Sequence, residues 1–138
     1  MDAIADYKKV IELDNDSTFY SAFAKGLSGD ITGGYKLMME IINKSDDKSG
    51  EYYNMACLKS LTGKEVDALK YIDLALSNGY KDYNWLKKDD DFLYIKYKHG
   101  FKALLKKYNI PNNLKMDNLK FVLENELRIE VEKWEQKG

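Results

Sequence analysis

The sequence is poor in the residues that most protein chemistries need. Among its 138 residues there is one Cys, one His and one Pro, and Arg128 is the only arginine. A lone Cys excludes a disulfide framework and a thiolate zinc cage. A lone His excludes a multi-histidine metal centre. With 22 Lys+Arg against 23 Asp+Glu the formal net charge is −1, so no large basic field awaits nucleic acid. The near absence of Arg, the residue best suited to bidentate phosphate and base contacts, points the same way. One Pro and 9 Gly leave little material for turn-rich β architecture or a Pro-rich linker. No run approaches the roughly 20 apolar residues that span a bilayer. The start, Met1-Asp2-Ala3-Ile4-Ala5-Asp6, has no basic n-region and no apolar core, so it does not read as a secretory signal. The expected compartment is the cytoplasm, with neither a nucleic-acid nor a membrane partner.

What is present is apolar periodicity and tyrosine. The chain is 44% hydrophobic and has 11 Tyr, and apolar residues recur at helical spacing almost throughout. Ile4, Tyr7, Val10, Ile11 and Leu13 predict a helix over about 2–14. Phe19, Tyr20, Phe23, Ala24 and Leu27 predict one over about 17–28, stopped by Gly29. Tyr35, Leu37, Met38, Ile41 and Ile42 predict one over about 31–44. Two more are expected over about 50–61 and 64–77, punctuated by Thr62-Gly63 and Asn78-Gly79. Trp85-Leu86 and Phe92-Leu93-Tyr94 suggest short helical turns, and Phe101, Leu104, Leu105 and Tyr108 a helix over about 99–108. Pro111 forbids its continuation. A last helix is expected over about 114–136, with Leu119, Val122, Leu123, Leu127, Val131 and Trp134 along one stripe. Nothing alternates with period two for long, so the fold class is all-α.

A shift of 34 residues superimposes two helix pairs without a gap. Gly29 falls on Gly63, Ala22 on Ala56, Phe19 on Tyr53, Leu27 on Leu61, Gly34 on Ala68 and Met38 on Ile72. That period is the length of one helix–turn–helix unit that must stack on neighbours to bury its faces. On the residues Tyr53-Asn54-Met55-Ala56-Cys57, Leu61-Thr62-Gly63-Lys64, Ala68-Leu69-Lys70-Tyr71-Ile72 and Ala75-Leu76, the sequence resembles the tetratricopeptide repeat (TPR) family, in particular its small bacterial members. The segment from Asn78-Gly79-Tyr80 through Trp85-Leu86, Asp89 and Asp91-Phe92-Leu93 to Phe101-Lys102-Ala103-Leu104-Leu105 is similar to a tail that follows the last repeat in many bacterial proteins. Gly34 stands where the family has a small Ala, and Asp46 where it often has Pro. Both departures predict a shorter or weaker first repeat.

The resemblance implies a short right-handed solenoid of antiparallel helix pairs with capping helices. Residues 1–110 form the repeat domain, with repeats at about 15–48 and 49–82 and a capping tail over 83–110. Residues 111–138 form a C-terminal helix that packs on the domain or serves oligomerisation. In the family the first helix of each repeat lines a concave groove. Carried to this chain, the partner-binding positions are Phe19, Tyr20, Phe23, Tyr53, Asn54 and Cys57, with Leu27 and Leu61 shared with the core. The expected function is therefore a non-catalytic protein–protein interaction module that holds a partner peptide or helix. One subset of the family clamps a peptide carboxylate with Lys and Asn. Asn54 sits at a matching position but the expected lysines are absent, so that clamp is not expected. The alternative function is a structural homo-oligomer, for instance a homodimer, assembled through the C-terminal helix, where Phe121, Ile129 and Trp134 are the candidate contacts. Phe121 and Ile129 lie off the main apolar stripe, and a cap needs only one apolar face.

The remaining candidates for chemistry fail individually. A calcium loop starting at Asp14 would need Gly at Phe19 and Glu at Lys25. Asp89-Asp90-Asp91 beside Lys87-Lys88 reads as a solvated turn with helix caps. His99 has no Cys or Ser partner in view, and Cys57 reads as quiet packing. No phosphate loop, nucleophile elbow or zinc motif appears. No catalytic residue, metal or cofactor is expected.

Overall fold

A computed structural model describes residues 18–112 and the pair 127–128. The expected helix over about 2–14 lies outside these residues. So does the C-terminal helix, apart from Leu127 and Arg128, which are helical. Among the described residues there is no strand. Also among them, no helix is long and apolar enough to cross a membrane.

The order is α1 (Phe19–Leu27), α2 (Ile31–Lys44), α3 (Ser49–Leu61), α4 (Glu65–Ser77), α5 (Tyr83–Lys88), a 3-10 turn (Asp90–Phe92) and α6 (His99–Lys107). Polar caps set several of the starts. Thr18 Oγ1 accepts from the Tyr20 amide at 3.2 Å, Asp30 Oδ1 from the Gly33 amide at 3.0 Å and Asp82 Oδ1 from the Trp85 amide at 3.1 Å. Each removes a donor that a helix start would otherwise leave unpaired.

The stops repeat one device. After α1 and α3 the chain turns through Gly29 (φ 118°) and Gly63 (φ 79°). There the residue after the glycine donates five residues back, Asp30 N to Lys25 O at 2.9 Å and Lys64 N to Lys59 O at 2.8 Å. This is the Schellman closure, and its left-handed residue favours glycine. The turns are short enough to fold α1 with α2, and α3 with α4, into helical hairpins.

Two clusters of buried side chains meet on α3. Met55 and Leu58 pack with Ala22, Leu37, Met38 and Ile42 of the first hairpin. Tyr53, Ala56 and Cys57 pack with Ala68, Ile72 and Ala75 of α4, and with Leu86, Phe92, Ile95, Phe101 and Leu105 of the following segment. α3 is therefore apolar around most of its circumference, as a helix covered on several sides must be. α6 is tied to α4 at the surface. Lys98 pairs with Glu65 at 3.1 Å and Lys107 with Asp73 at 3.0 Å. The Tyr108 hydroxyl bonds the Asp73 carboxylate and donates to its carbonyl at 3.2 Å.

Most positions 34 apart have matching environments, the exceptions including Phe19 against Tyr53 and Phe23 against Cys57. Ala22 and Ala56 are both buried, as are Gly34 and Ala68, Met38 and Ile72, and Ile42 and Leu76. The first repeat is not shortened at Gly34, since α2 runs the 14 residues Ile31–Lys44. Gly34 is required by contact. A Cβ there would stand 2.8 Å from the Ala22 carbonyl oxygen, 2.8 Å from the Gly26 nitrogen and 2.9 Å from the Gly26 Cα. These are backbone atoms of α1 and cannot rotate away. Gly50, in the first turn of α3, meets nothing within 4 Å. We expect Gly34→Ala to destabilise the fold by about 1–3 kcal/mol through overpacking. Gly50→Ala, by contrast, is expected to be neutral or to stabilise by up to ~1 kcal/mol. Chemical denaturation of the two variants checks this, and an unchanged midpoint for Gly34→Ala contradicts the close approach of α1 and α2.

Candidate functional site

The side chains expected to line one groove separate into two places. The first is α1. Phe19 and Tyr20 stand with ring centroids 4.1 Å apart, and Phe19 and Phe23 with centroids 5.7 Å apart at 76°. Phe19 and Phe23 are half-buried, and Phe23 touches both core clusters. Tyr20 is 61% exposed. It presents a large ring and a polar tip to the surface.

The second place is the face of α3 that carries Tyr53 and Cys57, and it is closed. Both side chains are buried, so neither lines an open groove, which corrects the sequence expectation for both. The cause is the 3-10 turn, which packs against α3. The Tyr53 ring stacks on Tyr80 at 4.4 Å and 11°, and meets Phe92 edge-on at 5.5 Å. Ser60 Oγ donates to the Asp91 carbonyl at 2.6 Å and fastens the same turn. Asn54, one residue on, is half-buried with its Nδ2 3.5 Å from Glu51 Oε2.

Asp89 is the residue the sequence reading missed. It was expected on a solvated turn, but it is 6% exposed. Its Oδ1 caps the 3-10 turn by accepting from the Asp91 amide at 2.9 Å. Its Oδ2 accepts from the Tyr53 hydroxyl at 2.6 Å and faces Cys57 Sγ at 3.7 Å. A buried carboxyl group is tolerable only when its oxygens are bonded in this way. A neighbouring signal was present in the sequence, because an Asp at the start of a helical turn is a cap. Nothing local shows that a tyrosine 36 residues earlier would cover it.

The chemistry open to this cluster is limited. Burial pushes the Cys57 thiol far above its ordinary value, and the charges of Asp89 and Asp91 add to the effect. The reactive form of a cysteine is the thiolate, so this thiol is held in its inert form. Tyr53 is raised in the same way, by burial and then by its bond to Asp89. Tyr80 is pushed up to about 12, chiefly by burial and despite an opposing hydrogen bond from Tyr53. Asp91 is also raised, again first by burial and then by the charge of Asp89. Cys57 Sγ and carboxylate oxygens of Asp89 and Asp91 lie within 4.8 Å of one another. One thiol with two carboxylates is not among the common structural zinc sets. Both Asp89 oxygens are already bonded within the chain, so these contacts read as packing.

His99 opens α6 and is exposed. Phe121, Ile129 and Trp134 lie outside the described residues. Comparison of the chain with protein-family models, with curated proteins and with solved structures finds no match.

The tie between Tyr53 and Asp89 yields a test by double-mutant cycle. Tyr53→Phe keeps the ring stack and removes the hydroxyl, which leaves Asp89 Oδ2 with only the weak donor Cys57 Sγ at 3.7 Å. We expect a loss of about 1–3 kcal/mol for that change alone. Asp89→Asn should cost a similar amount, and the two losses should not add. Additive losses in denaturant unfolding would show that the pair does not interact.

Proposed function

We propose that this chain is a non-catalytic protein–protein interaction module of tetratricopeptide type. On this reading the helical hairpins α1–α2 and α3–α4 are two stacked repeats of a short right-handed solenoid, and the segment over 83–110 is its cap. The partner is a peptide or helix that lies against Phe19, Tyr20 and Phe23, with Asn54 as the neighbouring polar contact. The observation that carries the reading is Tyr20, which is 61% exposed beside two further rings. Aromatic side chains of this kind provide much of the binding energy at protein interfaces. The matching burial of positions 34 apart supports the repeat. The closure of the face at Tyr53 and Cys57 narrows the binding surface to α1 and its edge with α3. The thiol held in its inert form and the absence of a paired acid and base around His99 among the described residues favour binding over catalysis.

A photo-crosslinking residue in place of Tyr20 should capture a discrete partner in native cells. The same residue in place of Val66, which is 81% exposed on α4, should not. Tyr20→Ala should weaken the recovered complex by roughly 1–3 kcal/mol, the range of an interface aromatic, with the thermal midpoint unchanged. Capture of the same proteins from both positions, or full affinity in Tyr20→Ala, would overturn the proposal.

A further inference from the structure

Charge is unevenly distributed along this nearly neutral chain. Between Asp91 and Asp117 there is no carboxylate side chain, and Lys96, Lys98, Lys102, Lys106, Lys107 and Lys115 fall in that interval. α6 lies within it and carries three of these lysines at its surface. His99, Lys102, Lys106 and Lys107 are exposed. His99, Lys102 and Lys106 recur at spacings of three and four, so they share one face of the helix, with Lys107 at its edge. Ala103 sits between them and is also exposed. Its short side chain leaves an open depression of about 610 Å³, lined among the described residues by His99, Lys102, Ala103, Lys106 and Lys107. The result is a small apolar floor rimmed by cations.

The lysines of this segment differ in how they are used. Lys98 is paired with Glu65 and Lys107 with Asp73, both from α4. No carboxylate among the described residues pairs with Lys102 or Lys106. Two unpaired charges one helical turn apart repel one another, a cost that an acidic ligand would reverse.

We propose that this face of α6 docks an acidic peptide segment, with Lys102 and Lys106 binding its carboxylates over Ala103. The site is independent of the α1 surface and does not rest on the reading given for it. Charge complementarity selects the acid, and the extent of the site selects a peptide over nucleic acid. The nine residues of α6 rise only about 12 Å, and Glu65 and Asp73 flank the cations on the α4 side. A nucleic-acid backbone gains affinity by neutralising many phosphates along a track, and one short helix offers few. The cations are lysines, which act as point charges without the fork that reads phosphate and base edges.

The test uses the full chain and a fluorescein-labelled peptide of ten glutamates, followed by anisotropy at low salt. The peptide should bind saturably and release as salt rises. Lys102→Glu with Lys106→Glu should weaken it by about tenfold or more. Lys64→Glu with Lys70→Glu, two exposed lysines elsewhere, changes the net charge equally and should leave affinity within about twofold, since distant exposed charges are screened. Circular dichroism melts of both variants establish that they are folded. If the first pair unfolds the chain, Lys102→Gln with Lys106→Gln replaces it and should still lower affinity. Absence of saturable binding, or equal loss from both pairs, would overturn the proposal. So would tighter binding of a ten-residue oligothymidylate than of the peptide, which would make the surface a nucleic-acid site.

Discussion

The contact on which the architecture turns is the buried carboxyl group of Asp89 beneath Tyr53. α3 has apolar residues on more sides than one hairpin can cover. Its Met55 and Leu58 are satisfied by the first hairpin and its Ala56 by α4. Tyr53 and Cys57 remain, and the 3-10 turn covers them. That turn carries Phe92 into the core and must bring Asp89 with it, because Asp89 caps the turn. The hydroxyl of Tyr53 makes this burial tolerable by donating to the oxygen left over. Packing and polar satisfaction therefore depend on one another here.

This arrangement explains which parts of the fold were legible in the sequence. The hairpins were legible because periodicity and glycine stops are local signals, and Gly29 and Gly63 do adopt the left-handed backbone that only such stops require. The short helical turns at Trp85 and Phe92 and the helix before Pro111 were legible for the same reason. The meaning of Gly34 was not, since the need for glycine comes from the backbone of α1 and not from α2 itself. Nor was the fate of Tyr53 and Cys57. Their place on the first helix of a repeat suggested a groove, but a segment more than thirty residues later occupies it. Asp89 looked like solvent-exposed charge because two further aspartates and two lysines surround it in sequence. Long-range burial overrode composition at that position.

The functional consequence is a division of surfaces. The closed face of α3 is used for stability, with its only thiol held protonated. The aromatic surface of α1 retains an exposed ring, that of Tyr20. Of the cations at and just before α6, Lys98 and Lys107 are paired with Glu65 and Asp73 of α4, whereas Lys102 and Lys106 pair with no carboxylate among the described residues. Neither proposed surface requires a catalytic group, in keeping with the scarcity of Cys and His in the chain.

The central claim, that the segment after Gly79 seals the face of α3 at Tyr53, is most directly tested through Cys57. It is the only cysteine, so thiol labelling by a disulfide reagent reports one site. The account predicts that the native chain reacts roughly 100-fold or more slowly than the unfolded chain, through opening of the sealed face, and that Asp89→Ala accelerates the reaction under native conditions. Stoichiometric labelling of the native chain as fast as that of the unfolded chain would contradict it.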